Sequence, residues 1–445
     1  MARKTLAVVT VLLLLAFAAP SDVLADGDPT ISIRAVGMVD GHVLEVDVAA
    51  AGVDSESTEA PATATLNVSL GATAVRAAFP LVHMPFHFAW AVDLPAGVVR
   101  VGGVVISTFS PVLPFTDNVP VSVEVMLERG PRIVTDRRDG TILLPTVIVP
   151  GLLNMLGAPN AHVLAAFRRV GYADTGPGPT LFWFAYPGSG RTLQENAAAL
   201  THFVRQVVLP KTYAARINVV GFSSGGLLAR WDVAYDVDGW GTLVNRLALV
   251  GVPNEGAVLA YQIAHSPLSL ARMGRGALAA AERPTFPFWR ARPGEPWTMP
   301  PNGENLTLAQ MNSRPIPGGV RVYLYYGALE GGHFRTVMGL TGAPGRGAAT
   351  YGAGDGVVLV ASALGEAING AEKVTELTSH VVLAMNVGSV NHLFLFAKAA
   401  NLVARAMEDS FETNLGPARP GGGGQVNRWQ ACFLRIGPVL DRRPC

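Results

Sequence analysis

Gly221-Phe222-Ser223-Ser224-Gly225 sets a serine between two glycines, directly after the apolar run Ile217-Asn218-Val219-Val220 and before Gly226-Leu227-Leu228-Ala229-Arg230-Trp231. The first run reads as a strand and the second as a helix, so Ser223 is expected on a sharp strand-to-helix turn. Such a turn brings backbone segments too close for a Cβ, which is why glycine flanks the serine. It thrusts the hydroxyl out at the end of a sheet. The amide of Ser224, at the positive end of the helix, then faces the place where an oxyanion would form. The pattern alone means little, because with 49 glycines in 445 residues about 0.2 matches arise by chance.

A serine hydroxyl is a weak nucleophile until a base takes its proton and an acid orients that base. Asp355, between Gly354 and Gly356, is the acid candidate; the same residues also suit an ordinary Asx turn, and Glu330 beyond the preceding strand is its rival. For the base there are nine histidines. His392 follows the last expected strand, residues 381–387, and His380 precedes it. Parallel strands all end on one sheet edge, so His392 is the first candidate and His380 the second. The chain order Ser223, Asp355, His392 suits a doubly wound sheet.

The elements that must carry these residues fall into two stretches. Residues 26–138 give short β-branched or alternating segments, among them 42–48, 62–70, 98–107 and 119–127, separated by Gly, Pro, Asp and Asn. Strands at that spacing without helical runs suggest an N-terminal all-β sandwich of the immunoglobulin-like kind. From 139 to 412 apolar strands alternate with helical patterns, the mark of a mostly parallel α/β sheet covered on both faces. Its strands are expected at 142–149, 181–186, 217–222, 246–252, 320–326 and 381–387. Residues 257–312, rich in Pro, Arg and large apolar side chains, break this rhythm and read as a cap. Residues 413–445 read as a Gly-rich linker and tail.

With these blocks in place, the chain resembles the secreted lipase and esterase branch of the α/β-hydrolase superfamily, with some likeness to lecithin:cholesterol acyltransferase-type enzymes. The resemblance covers about residues 141–410. Thr146-Val147-Ile148-Val149-Pro150-Gly151-Leu152 is similar to the strand and oxyanion loop that lipases write as His-Gly-x, with Pro150 in place of the histidine. Val250-Gly251-Val252-Pro253-Asn254-Glu255-Gly256 resembles their Gly-Thr-Pro-x-x-Gly segment, with Val252 for the threonine. Gly354-Asp355-Gly356-Val357-Val358 resembles the acidic segment, and Val390-Asn391-His392-Leu393 the histidine segment. The resemblance implies a serine carboxylic ester hydrolase with Ser223, Asp355 and His392 as its triad, and with oxyanion amides from Leu152 and Ser224. It also admits acyl transfer to an alcohol acceptor in place of water. A non-enzymatic exported binding protein with a degenerate hydrolase domain is the alternative of another class.

Composition bounds the rest. The 34 basic and 33 acidic side chains form no concentrated basic stretch, so a nucleic-acid partner is not expected. No metal-ligand spacing and no phosphate-cradling loop occurs, and neither metal nor cofactor is expected. Met1-Ala2-Arg3-Lys4, an apolar run to Ala19 and the small-residue site before Asp26 read as a signal peptide over residues 1–25, hence export. Cys432 and Cys445 would suit a disulfide in an oxidising compartment, with two free thiols as the alternative. The expected partner is an ester or lipid substrate, with transient contact at a lipid interface through the cap; no protein partner is inferred.

Overall fold

Strict alternation builds the first half of the chain. In β2 (Val43–Ala51) the side chains of Leu44, Val46, Val48 and Ala50 point inward, and in β8 (Val119–Arg129) those of Val121, Val123, Val125 and Leu127 do the same. Each such buried valine or leucine contributes about 1.5–3 kcal/mol relative to exposure. The computed structural model describes residues 29–51, 62–81, 87–151, 160–176, 178–185, 193–254, 256, 306–329, 355, 358, 362–363, 373–379, 392–408 and 432–435. Within them, β1 (Thr30–Val39), β2, β5 (His87–Asp93), β6 (Val98–Val101) and β7 (Val104–Thr108) form one antiparallel sheet in that order. A second holds β4 (Thr73–Leu81), β3 (Ala62–Leu70), β8 and β9 (Arg132–Ile142), also in that order. Their inward faces share one core around Trp90, Leu66 and Val125.

Two expectations here need correction. The single strand expected at 98–107 is the hairpin β6–β7, turned at Gly102 and Gly103, whose φ values of 56° and 84° only glycine adopts without strain. The boundary expected after 138 falls after Ile142, because β9 pairs with β8 throughout and Val119 lies opposite Ile142. The mostly exposed residues of β9 give no alternating apolar signal. Backbone pairing holds the strand instead, together with the Asp136 carboxylate, which accepts from the Ile33 amide of β1 at 2.7 Å.

The second half is a parallel sheet of seven strands. In order they are β11 (Leu181–Trp183), β10 (Thr146–Val149), β12 (Ile217–Phe222), β13 (Val244–Val250), β14 (Arg321–Leu329), β15 (Lys373–Ser379) and β16 (Cys432–Arg435). Every residue of β10, β12 and β13 is buried, as strands covered on both faces require. Helices α1 (Ala161–Arg169) and α5 (His392–Glu408) pack on one face; α2 (Leu193–Phe203), α3 (Ser224–Ala234) and α4 (Leu306–Asn312) pack on the other. The chain runs from β10 outward to β11, then returns to β12 on the other side. The sheet reverses winding between β10 and β12, and the crevice above that point is where such sheets bind ligands.

Three further expectations shift. An unexpected strand, β15, pairs with β14 through the polar alternation Lys-Val-Thr-Glu-Leu-Thr-Ser; the strand expected at 381–387 lies outside the described residues. Part of the tail read as linker forms β16, parallel to β15. The last residues of the cap stretch form α4, whose Leu308 and Met311 belong to the core beside α3; residues 257–305 lie outside the described residues. The signal peptide, Cys445 and the Gly-rich run also lie outside them.

The antiparallel body docks at the start of the parallel strands. Asp117 lies 3.1 Å from the Arg246 guanidinium, which is fully buried at the start of β13, and 3.1 Å from that of Arg321. Asn118 donates to the carbonyls of Met407 and Glu408, and its side-chain oxygen accepts from the Leu144 amide at 2.8 Å. Burial works to raise the Asp117 carboxyl, but the Asn118 amide, Arg246, Arg321 and Asn245 outweigh it and hold it below the ordinary carboxylate range. A lowered carboxyl stabilises the fold above its unfolded pKa, and that contribution is lost as pH falls through the folded one. Asp117→Ala is expected to cost about 1–2 kcal/mol of unfolding free energy at neutral pH, since half the carboxylate is exposed. Denaturant titrations should show this gap steady above about pH 5 and shrinking below about pH 4; a pH-independent gap would refute the charge pairing.

Asp232 on α3 behaves in the opposite sense. It is fully buried against α2, and burial pushes its carboxyl up to about 8, opposed by the Thr201 hydroxyl and reinforced by Asp238. In the unfolded chain it ionises near about 3.9, so between about pH 4 and 8 each pH unit costs the native state about 1.4 kcal/mol at this site. Asp232→Asn should therefore flatten the fall in Tm between pH 5 and pH 8. Parallel Tm profiles for the two proteins would contradict it.

Candidate active site

Ser223 ends β12 and opens α3 with φ 53° and ψ −129°. Three other non-glycine residues among those described have positive φ, and all are aspartates, a residue whose short polar side chain tolerates the left-handed region. A serine held there is strained by about 1–3 kcal/mol. The surrounding packing imposes it. A Cβ on Gly221 would lie 2.3 Å from Gly226 Cα, and one on Gly225 would lie 2.2 Å from the Val149 carbonyl oxygen. The Ser223 amide donates to the Val250 carbonyl of the next strand at 2.9 Å, and its carbonyl accepts from Gly226 at 3.0 Å. The turn is thus clamped between β10, β13 and its own helix.

The structure brings Ser223, His392 and Asp355 into one line. Ser223 Oγ donates to His392 Nε2 at 2.7 Å, and His392 Nδ1 donates to Asp355 Oδ2 at 2.7 Å. A buried carboxylate that only accepts fixes the proton on Nδ1 and leaves Nε2 as the acceptor. Asp355 and His392 are 2% and 5% exposed, so water competes for neither bond. His392 stacks on Phe222 with ring centroids 5.2 Å apart, and Phe222 stacks on Phe396. The residue before the serine thus sets the plane of the imidazole.

Asp355 is fixed by its own turn. Its Oδ1 accepts from the Val358 amide at 2.8 Å, and its carbonyl accepts from the His392 amide at 2.9 Å. The side chain thus closes a local turn onto the amide three residues on, one residue further than an Asx turn, along with the histidine bond. Gly251, with φ 55°, makes room for the pair: a Cβ there would lie 2.8 Å from Leu395 Cδ2 and 3.3 Å from Asp355 Oδ2. Its backbone shape and the free space it leaves both require glycine.

Ser224 is buried as the first residue of α3, with the Gly151 loop passing so close that a Cβ on Gly151 would lie 2.7 Å from Ser223 Cβ. Leu152, Glu330 and His380 lie outside the described residues. The ranking of His392 above His380 rested on a strand at 381–387, outside the described residues; β15 ends at Ser379, just before His380. Among the described residues no cluster of His, Cys, Asp or Glu suits a metal ion, and no helix is long and apolar enough to cross a membrane. Sequence reading passed over Arg230 and Asn254. Both are buried beneath the site, where Arg230 Nη1 donates to Asn254 Oδ1 at 2.9 Å. A charged residue in an apolar helical run was the available signal.

No protein-family model matches the sequence, and no curated protein matches it either. Among solved structures, the mature lipase BlEst2 of Bacillus licheniformis is similar at 15% identity over 59% of this chain and 91% of its own, with a TM-score of 0.39. The esterase Pf2001 of Pyrococcus furiosus is similar at 11% identity over 66% of this chain and 88% of its own, with a TM-score of 0.34. A Pyrobaculum calidifontis esterase gives 12%, 66%, 81% and 0.31 in the same order. With TM-scores below 0.5, what the site can do rests on its own geometry.

The close packing around the turn gives a direct test. A Cβ on Gly226 would lie 2.1 Å from Val252 Cγ2, a side chain that shortens without disturbing the backbone. Gly226→Ala is expected to lose about 1–3 kcal/mol of stability, and adding Val252→Ala should recover part of it. Chemical denaturation of the two single variants and the double variant measures this, and strictly additive losses would contradict the contact.

Proposed function

We propose that the chain is a serine hydrolase that cleaves carboxylic esters through an acyl-enzyme formed on Ser223. The observation that carries this reading is the pair of 2.7 Å hydrogen bonds joining Ser223, His392 and Asp355 at a strained strand-to-helix turn. In this reading Ser223 Oγ attacks the ester carbonyl carbon while His392 Nε2 takes its proton. Asp355 stabilises the imidazolium and keeps it oriented. The carbonyl oxygen becomes an oxyanion, met by the Ser224 amide at the head of α3 and by the Leu152 amide. The tetrahedral intermediate then expels the alcohol, which receives the proton from His392. Water, deprotonated by the same nitrogen, attacks the acyl-enzyme and releases the acid.

Lipid esters are the proposed substrates, on the strength of the large apolar side chains in residues 257–312, which would contact acyl chains or a lipid surface. Export is proposed from the basic and apolar character of residues 1–25. The antiparallel body is proposed to be an immunoglobulin-like sandwich that supports the catalytic body. A fluorophosphonate probe should label the wild-type protein and leave Ser223→Ala unlabelled. Turnover of an aryl ester should fall on the order of 10³-fold in His392→Ala and stay near wild type in His380→Ala. An unlabelled wild-type protein, or the reverse ranking of the histidines, would overturn the reading.

A further inference from the structure

Asp355 is held by its own turn and bonds to His392, the group it must orient. The segment that carries it is also tethered further along. Eight residues on from Asp355, the Ala363 carbonyl accepts from Asn254 Nδ2 at 2.7 Å. Beside it, Ser362 Oγ donates to the Gly256 carbonyl at 2.6 Å. Both tethers end on the turn that follows β13, the strand whose Val250 carbonyl also holds the Ser223 amide.

Asn254 is fully buried, and its orientation is forced. Arg230, on the nucleophile's own helix and 2% exposed, places Nη1 2.9 Å from the Asn254 side chain. A guanidinium only donates, so the oxygen of the amide must face it and the nitrogen must face Ala363. The backbone carbonyl of Asn254 accepts from Asn312 Nδ2 of α4 at 2.9 Å. One side chain therefore joins the serine's helix, the turn after β13 and the acid's segment.

We infer that Asn254 is a positioning residue: its amide, aimed by Arg230, holds the acid-bearing segment in the register that keeps Asp355 in line with His392. This rests on the reading of Ser223 as nucleophile. Asn254→Asp keeps the volume and still accepts from Arg230, but has no hydrogen to give the Ala363 carbonyl. Full-length protein is compared in fluorophosphonate labelling rate, in kcat and KM for an aryl ester, and in the low-field proton resonance of His392 Nδ1. In Asn254→Asp, labelling rate and kcat should fall about 10-fold or more, because small displacements of catalytic groups are costly. KM should change by less than about 3-fold, and the low-field resonance should shift or broaden. Wild-type rates and an unchanged resonance in a folded variant would overturn the inference while leaving the nucleophile reading intact. Absence of label on the wild-type protein would overturn that reading instead. Should Asn254→Asp not fold, Ser362→Ala removes the parallel tether; a loss of about 3-fold in labelling rate is expected, and no loss would overturn the inference.

Discussion

The backbone at Ser223 is the constraint on which the rest of the molecule turns. A serine at φ 53° and ψ −129° persists only where neighbouring segments leave it no other path. Those segments are β10, the turn after β13 and the first turn of α3, all within Cβ distance of Gly221, Gly225 and Gly226. Winding reverses between β10 and β12, and Ser223 stands at the end of β12, the edge where such sheets bind ligands. The strain is thus supported by strands buried along their whole length, and the Ser223 side chain inherits their rigidity.

How much of this could be read from the chain follows from how the information is stored. Strand β12 and the helix after it were legible because continuous apolar residues and paired glycines are local signals, and the expected bounds 217–222 match the observed strand. The bounds of β9, β15 and β16 were not, because they are set by pairing with β8, β14 and β15, which no local run of residues displays. Ser223, Asp355 and His392 could be named from motifs, whereas β15, which ends just before His380, gave no apolar signal. The relation of Arg230 to Asn254 joins residues 24 positions apart, and only the folded chain displays it.

Charge is distributed with the same logic. Arg246 is buried at the start of β13 and needs a counter-charge, which arrives from Asp117 on the strand connection of the other body. Asp232, in contrast, is buried beside the Thr201 hydroxyl and feels the negative charge of Asp238, and its carboxyl keeps its proton to about 8. One carboxylate secures the junction between the two bodies; the other makes the helix that carries the serine sensitive to alkaline conditions.

The two antiparallel sheets meet the parallel sheet at the end where its strands begin, about 16 Å along β12 from Ser223. An attachment made through the outer surface of the first body, to a solid support or to another polypeptide, would sit at the opposite end of β12 from Ser223.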